Sequence, residues 1–346
     1  MRGRVSSERV LAKTYRHGLI VGKCAPLHRG HMLLLDAALE QCERLSVWVY
    51  SRPDFPGMPG PLRRGWLRAL YPARLFPGLE LLPDAPQPPL NDAPDAVHHE
   101  YVRGVLDGWG VRPDAVFTSE EYGEAFAASL GAAHVCVDRA RQIVPVSGTA
   151  LRADVHALRH FLDPLVYAHF VRRVVILGAE STGKSTLTRA LGEAFGTTWV
   201  REYGRDVYER EDGALTPGHF LEIARGHRAL EDEAAQSPGV HKWVFSDTDA
   251  TTTLMWSHLL TGAAHPDLRA LADECRARYA HTFLCDTDLP HEQDGWRANT
   301  EVRAVQQAFI RQDLEARGVP FTVLRGSVPE RVAQVQATLS ATGGWA

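Results

Sequence analysis

The 346-residue chain predicts an α/β protein: two doubly wound parallel-sheet domains in series. Three observations predict it. Short apolar runs alternate with helix-period segments along the whole length, the pattern of a mostly parallel sheet covered on both faces. The alternation starts afresh at "VRRVVILG", where a new apolar strand opens after a helical stretch. The length exceeds what one hydrophobic core usually organises.

Taken in order, residues 1–16 are polar and charged, without the apolar core of a signal peptide, and read as a disordered tail too short for a helix-turn-helix module. From His17 the apolar runs "GLIVGK", "LSVWVY", "LELL", "DAVFTS" and "AHVCVD" read as strands. "HMLLLDAALEQCERL" and "DAVHHEYVRGVLDGWG" read as helices between them. "SRPDFPGMPGPLRRGW" is rich in proline and glycine and reads as a mobile loop over the sheet edge. "GTALRADVHALRHFLDPLVYAHF" reads as one helical stretch closing a first domain, 17–170. A second domain, 171–346, alternates again through "TTWVREYG", "HKWVFSDTD", "HTFLCDTD" and "PFTVL".

Composition narrows the function classes. Hydrophobic residues make up 45% and charged residues 23%, with 38 basic against 42 acidic side chains and a net charge of −4. A protein that bound nucleic acid mainly through its charge would carry a basic surplus, so no nucleic-acid partner is expected. No apolar run is long enough for a membrane span. The five cysteines are scattered and form no C-x-x-C pair, which indicates neither a disulfide framework nor a zinc site and suits a cytoplasmic setting. Homo-oligomerisation stays open.

Two strand-to-helix junctions carry the chemistry. In "GKCAPLHRGH", Gly22 ends a strand and lets a ligand approach the backbone, Lys23 follows, Pro26 stiffens the turn, and His28 and His31 open a helix. Free N–H groups at a helix start favour phosphate. Two imidazoles three residues apart can stabilise charge on a phosphate oxygen during displacement. A lone turn histidine is usually filler, but the joint pattern G-x-x-x-P-x-H-x-G-H reverses that weighting. Later, "IVPVSGTALRAD" supplies Ser147 or Thr149 as a helix cap and Arg152 as a fork for phosphate oxygens.

In the second junction, "GAESTGKS" matches G-x-x-x-x-G-K-[ST] after an apolar strand. Backbone N–H groups over Gly178, Glu180, Ser181, Thr182, Gly183 and Thr186 would cradle phosphates, with Lys184 reaching the β- and γ-phosphates and Ser185 binding Mg²⁺. "WVREYGRD" ends a strand with Glu202, Tyr203 and Arg205. "WVFSDTDATTT" ends another with Asp247 and Asp249, where P-loop proteins carry a metal-linked acid. "DTDLPHEQDGWRANTEVR" holds Arg297 in a polar loop that suits a lid over phosphates.

The first domain resembles the nucleotidyltransferase superfamily with the HxGH signature and a late S-x-T-x-x-R motif, and His28, His31, Ser147, Thr149 and Arg152 match it. Cys24 departs from it, standing where that superfamily usually has phenylalanine. The two halves together resemble the NadR-type bifunctional family, on "GKCAPLHRGH", "TSEEYG", "VSGTALR", "GAESTGKST", "REYGR", "DTDATTT" and "DGWR". Some members of that family carry an N-terminal repressor domain, and none is expected in residues 1–16. The resemblance implies two reactions in series, each using ATP as co-substrate with Mg²⁺. Nicotinamide riboside would be phosphorylated to nicotinamide mononucleotide, and the mononucleotide adenylylated to NAD with release of pyrophosphate. Lys184 and Arg297 would then serve the phosphates, Ser185 and Asp247 the metal, and Glu202 or Asp247 the ribose hydroxyl, with Asp247 or Asp249, Tyr203 and Arg205 beside the substrate. Trp66 or Trp109 would stack on nicotinamide. The rival readings are an HxGH adenylyltransferase for another phosphate ester fused to a different nucleoside kinase, and a nucleotide-sensing regulator without turnover.

Overall fold

The computed structural model describes residues 13–120, 122–289 and 300–341, and the chain divides into two compact units, Met1–Val166 and Tyr167–Ala346. The first unit runs β1 (Tyr15–Gly22), α1 (Arg29–Gln41), β2 (Cys42–Val49), α2 (Gly60–Leu70), β3 (Leu79–Leu81), α3 (Asp95–Gly108), β4 (Ala115–Thr118), α4 (Gly123–Leu130), β5 (Ala133–Cys136), α5 (Gly148–Ala153) and α6 (Pro164–Tyr167), whose last residue crosses the division. Its sheet has the order β3-β2-β1-β4-β5, every pair parallel. In such a sheet ligands bind outside the carboxyl ends of the strands, where the connections change direction. That point lies between β1 and β4, and the H-x-G-H turn leaves β1 there.

The second unit runs β6 (Arg172–Leu177), α7 (Lys184–Phe195), β7 (Trp199–Val200), α8 (Gly204–Arg210), α9 (Pro217–Ala235), β8 (Trp243–Asp247), α10 (Ala250–Thr261), α11 (Pro266–Arg278), β9 (His281–Cys285), α12 (Thr300–Ala316), β10 (Phe321–Leu324) and α13 (Val328–Ala341). Its order is β10-β9-β6-β8-β7, again all parallel. Central β6 shows why a continuous apolar run makes such a strand. Val175 and Leu177 face one core with Phe220, Leu254 and Ile310, while Val174 and Ile176 face the other with Leu187, Leu191 and Leu339. The two-residue period sends alternate side chains to opposite faces, and each fully buried side chain contributes about 1.5–3 kcal/mol. The α/β class with two doubly wound parallel sheets is therefore as the sequence indicates.

Three local expectations need correction. Tyr15 and Arg16, expected in the tail, belong to β1. The proline- and glycine-rich stretch is not all loop: Pro59 caps α2, and proline near the start of a helix costs nothing because its missing N–H would have had no partner there. The single helix expected after Gly148 breaks into α5, a 3₁₀ turn over Arg159–Phe161 and α6. Asp154 ends α5 and turns its carboxylate to accept from the N–H of Ala157 at 2.9 Å, the side-chain competition that makes aspartate a poor interior helix residue.

Candidate functional site

At the end of β1, His28 is the N-cap of α1 and its Nδ1 accepts from the N–H of Gly30 at 3.1 Å. His31 reaches back, and its Nδ1 accepts from the N–H of His28 at 3.3 Å. This is a capping box built from two imidazoles in place of the usual hydroxyl and carboxylate. It explains the intervening glycine: a Cβ at Gly30 would lie 3.0 Å from Cε1 of His28. The ring centroids are 3.8 Å apart. Because both Nδ1 atoms accept, each neutral ring carries its proton on Nε2 and offers one N–H donor. Burial, then the charges of Arg141 and Arg152, push His28 down to about 4. Burial, His28 and Arg141 hold His31 well below its ordinary value. The pair is thus two neutral donors, suited to charge that develops on a phosphate oxygen.

Around them, Arg152 donates from Nη1 to the carbonyl of Ala25 at 2.6 Å and from Nη2 to Thr149 Oγ1 at 2.9 Å, and lies over the ring of Phe55. A Cβ at Gly148 would meet Arg152 Nη1 at 3.2 Å, so the glycine of S-G-T-x-x-R makes room for the arginine. Ser147 caps α5 by accepting from the N–H of Ala150 at 3.1 Å. With only six residues in α5, the anion affinity expected of its start has little dipole behind it and rests on Arg152. Lys23 donates to Asn91 Oδ1 at 3.0 Å, and burial with the neighbouring Arg152 lowers its pKa. A Cβ at Gly22 would meet only the sulfur of Cys24, at 3.8 Å, so protein packing leaves space beside the strand end. Cys24 itself is buried, its thiol pushed up to about 12 by burial.

Two side chains at this site escaped the sequence reading. Arg63 of α2 is buried and donates to the carbonyls of Lys23, of Tyr50 at 3.0 Å and of Met58 at 2.8 Å, fastening the segment before α2 to the ends of β1 and β2. Arg141, in the loop after β5, depresses both histidines.

The tryptophans are not where the stacking role needs them. Trp66 is enclosed by protein, at 4% exposure. Trp109 packs edge-on against Trp48 with centroids 5.2 Å apart, and borders a cleft shared with Arg16, His17 and Glu43 at the amino ends of β1 and β2, opposite the phosphate edge.

In the second unit the loop after β6 closes into a cradle. Gly178 has φ 150° and Gly183 φ 81°, both in the region that favours glycine, and a Cβ on Gly178 would stand 2.7 Å from Thr182 Oγ1. Thr182 Oγ1 donates to the carbonyl of Ala179 at 2.8 Å, and Lys184 Nζ donates to the same oxygen at 2.9 Å. Ser185 and Thr186 are exposed at the start of α7. Four residues from far along the chain hold this loop, and none was anticipated. Gln307 and Gln306 of α12 accept from the N–H groups of Ala179 and Glu180, each at 3.0 Å. Arg303 donates to the carbonyl of Ser181 at 3.2 Å, and Arg331 of α13, fully buried, donates to that of Thr182 at 2.5 Å.

Facing the loop, Asp247 ends β8 at 1% exposure, and its Oδ1 has no hydrogen-bond partner. A buried orphan carboxylate oxygen is costly unless something completes it. The next residue, Thr248, holds φ 75°, rare for a β-branched side chain and worth about 1–3 kcal/mol of strain. The carboxyl of Glu202 is raised by burial first and by Asp247 second, with Lys184 and Arg205 opposing; these four groups therefore share one electrostatic environment. Tyr203 packs on α9, where a Cβ at Gly226 would lie 2.2 Å from its ring. Asp249 has one carboxylate oxygen committed to the fold. Its Oδ1 caps α10 by accepting from the N–H of Thr251 at 2.9 Å, of Thr252 at 3.2 Å and from the Thr251 hydroxyl at 2.5 Å. Arg297 lies outside the described residues.

The residues fit a magnesium ion. The orphan oxygen of Asp247 and the Ser185 hydroxyl are hard oxygen donors, and no cluster of three or more His, Cys, Asp or Glu exists among the described residues. Magnesium needs no such cage, since it keeps water and substrate phosphates as ligands.

Comparison with known proteins agrees with both halves. A family model described as an AAA domain matches residues 173–331. The trifunctional NAD biosynthesis/regulator protein NadR of Escherichia coli strain K12 is 30% identical over 324 residues, 88% of this chain and 77% of that protein. Its counterpart in Salmonella typhimurium is 30% identical over 325 residues, with the same coverage of both chains. Among solved structures, NadR protein in complex with NR superposes with a TM-score of 0.68 at 19% identity, covering 98% of each chain. NadR protein in complex with NAD and AMP-PNP gives the same score and identity over 96% of this chain and 97% of that one. Paired imidazoles after β1, a glycine-lysine cradle after β6 and similarity along most of the chain meet in one conclusion: this chain belongs to the NadR family.

Proposed function

We propose that the chain makes NAD from nicotinamide riboside in two ATP-dependent steps, one in each unit. The second unit is the ribosylnicotinamide kinase. There the 5′ hydroxyl of the riboside attacks the γ-phosphorus of ATP, the bond to the β-γ bridging oxygen breaks, and ADP leaves with nicotinamide mononucleotide as product. Glu202 takes the hydroxyl proton. Burial first and Asp247 second raise its carboxyl, which makes it a stronger base than an ordinary glutamate. Lys184 leaves the Ala179 carbonyl for the phosphates, and the cradle's N–H groups hold them. Ser185 and Asp247 would hold Mg²⁺, which would supply charge neutralisation to the transferred phosphate.

The first unit is the adenylyltransferase. The mononucleotide phosphate attacks the α-phosphorus of a second ATP and pyrophosphate leaves. The Nε2–H groups of His28 and His31 stabilise the charge growing on phosphate oxygens, and Arg152 and Lys23 neutralise the polyphosphate. The pyridine nucleotides and ATP are the small-molecule partners of this reading, and five free cysteines accord with a cytoplasmic setting. The observation that carries it is that each unit has a strand-to-helix junction, the paired imidazoles after β1 and the glycine-lysine loop after β6, of the kind that receives phosphate.

The test is product analysis with ATP and either nicotinamide riboside or nicotinamide mononucleotide. Lys184→Ala should lose mononucleotide formation by about 10³-fold or more and keep the second step; His31→Ala should do the reverse. Loss of both steps in either folded variant would refute two independent sites, and no consumption of either substrate would favour a sensor.

A further inference from the structure

We propose that Arg141 is a further phosphate-binding residue of the adenylyltransferase site, paired with Glu120 in the free protein and transferred to the polyphosphate of ATP when the nucleotide enters. The inference rests on the adenylyltransferase reading and adds a residue that no motif supplies.

The loop that carries Arg141 is built, not slack. The carboxylate of Asp138 accepts from the N–H groups of Gln142 at 2.7 Å, Ile143 at 3.1 Å and Val144 at 2.9 Å. Asp138 and Arg141 both adopt left-handed backbone, at φ 51° and 50°, a conformation that non-glycine residues hold only when the surroundings enforce it. The loop abuts the H-x-G-H turn: a Cβ at Gly30 would lie 3.9 Å from Val144 Cγ1. Arg141 also borders a cleft of about 390 Å³ with Ser119, Glu120, Arg139 and Ala140, at the carboxyl ends of β4 and β5. This is the edge at which β1 delivers the histidines.

Charge makes the case for a ligand. With His28 and His31 neutral, positive charge for a triphosphate must come from the arginines and lysine around them, and Arg29 of the turn is bonded to the carbonyl of His160 at 3.0 Å. Arg152 is bonded to Ala25 and Thr149, and Lys23 to Asn91. Arg141 donates to Glu120 Oε1 at 2.9 Å, with both side chains more than a third exposed, an arrangement that contributes little stability and is readily exchanged for a doubly charged phosphate. Its field already reaches both imidazoles.

Opposite-sign variants test this. Arg141→Gln should raise the KM for ATP in adenylylation about tenfold or more and leave the kinase step alone. Glu120→Gln, which removes the competitor, should lower that KM severalfold at low salt, an effect that shrinks at high ionic strength. Arg141→Lys should restore part of the loss. If Arg141 were only Glu120's structural partner, the two glutamine variants would shift KM in the same direction or not at all, and the proposal would be wrong. Calorimetric titration of inorganic pyrophosphate into the full chain carrying Lys184→Ala gives a readout without turnover. Adding Arg141→Gln should weaken binding about tenfold, and adding Glu120→Gln should tighten it; unchanged affinity in both overturns the inference. A chain that binds pyrophosphate in this way yet never converts the mononucleotide would instead overturn the assigned reaction.

Discussion

The two junctions solve the same problem with bonds of very different reach. After β1, the donors are aimed by contacts spanning two or three residues: His28 to Gly30, His31 to His28. After β6, the loop is held by Arg303 from 122 positions away, by Gln306 and Gln307 from 126 and 128, and by Arg331 from 149. The aim of the two rings is set once a turn and a helix form, although Arg63 and Arg152 also tie the turn's backbone from 40 and 127 positions away. The second exists only when α12 and α13 have docked, so its geometry inherits the stability of the whole unit.

The largest effect that would break this contrast is at Arg331. Arg331→Met removes a buried cation bonded to Thr182, to the carbonyl of Asp286 and to the Asp288 carboxylate. Stripping one partner from such a buried set costs about 3–5 kcal/mol. Kinase activity should fall about 100-fold or more through the misplaced cradle, while adenylylation stays near the parent rate. Thermal unfolding and the two assays check it; equal losses in both reactions would show that the junctions are not separately supported.

A smaller effect is expected at Gly30, where the support is local. Gly30→Ala places a methyl 3.0 Å from the His28 ring, so the imidazole must give by a few tenths of an ångström and its cap bond to the Gly30 N–H is strained. Losing the cap outright would cost about 0.5–2 kcal/mol, so a smaller destabilisation is expected, and a displaced donor should slow adenylylation about tenfold with the kinase step intact. An unchanged rate would mean that the capping box is not what aims the rings.

The same contrast governs what the sequence could reveal. H-x-G-H and the G-x-x-x-x-G-K-S run are legible because their working contacts lie within a few residues, and even their glycines have local causes. The fold class was legible too, since a run such as Val174–Leu177 must be covered on both faces. Arg331 and the α12 glutamines were not. They look like ordinary polar residues on helical faces, and only tertiary folding brings them to a loop more than 120 positions earlier. Asp249 was ambiguous for a related reason. An aspartate after a strand and before a threonine run reads equally as a metal ligand or a helix cap, and the bonds from Thr251 and Thr252 show that one of its oxygens serves as a cap. Trp109 misled because composition records a stacking side chain but not the end of the sheet that it occupies.

The smallest effect concerns pH and distinguishes neutral donors from charged ones. His28 stands near 4 in the folded protein against an ordinary value of 6.5. Between those values the unfolded chain binds a proton that the folded chain refuses, so this contribution to stability is complete above about pH 6.5 and is lost as pH falls toward about 4. His28→Asn keeps a capping side chain but removes the titration, so its midpoint of thermal unfolding should fall less than the parent's between pH 7 and about pH 5. Catalysis should follow the same logic. If both rings work as neutral Nε2–H donors, kcat/KM for adenylylation should show no ionisation near 6.5, because the Nδ1 atom that would take a proton already accepts a backbone N–H. An acidic limb close to 6.5 that vanishes in His28→Asn would mean that an imidazolium does the work, and the parallel between this junction and the lysine cradle would then be one of charge as well as shape.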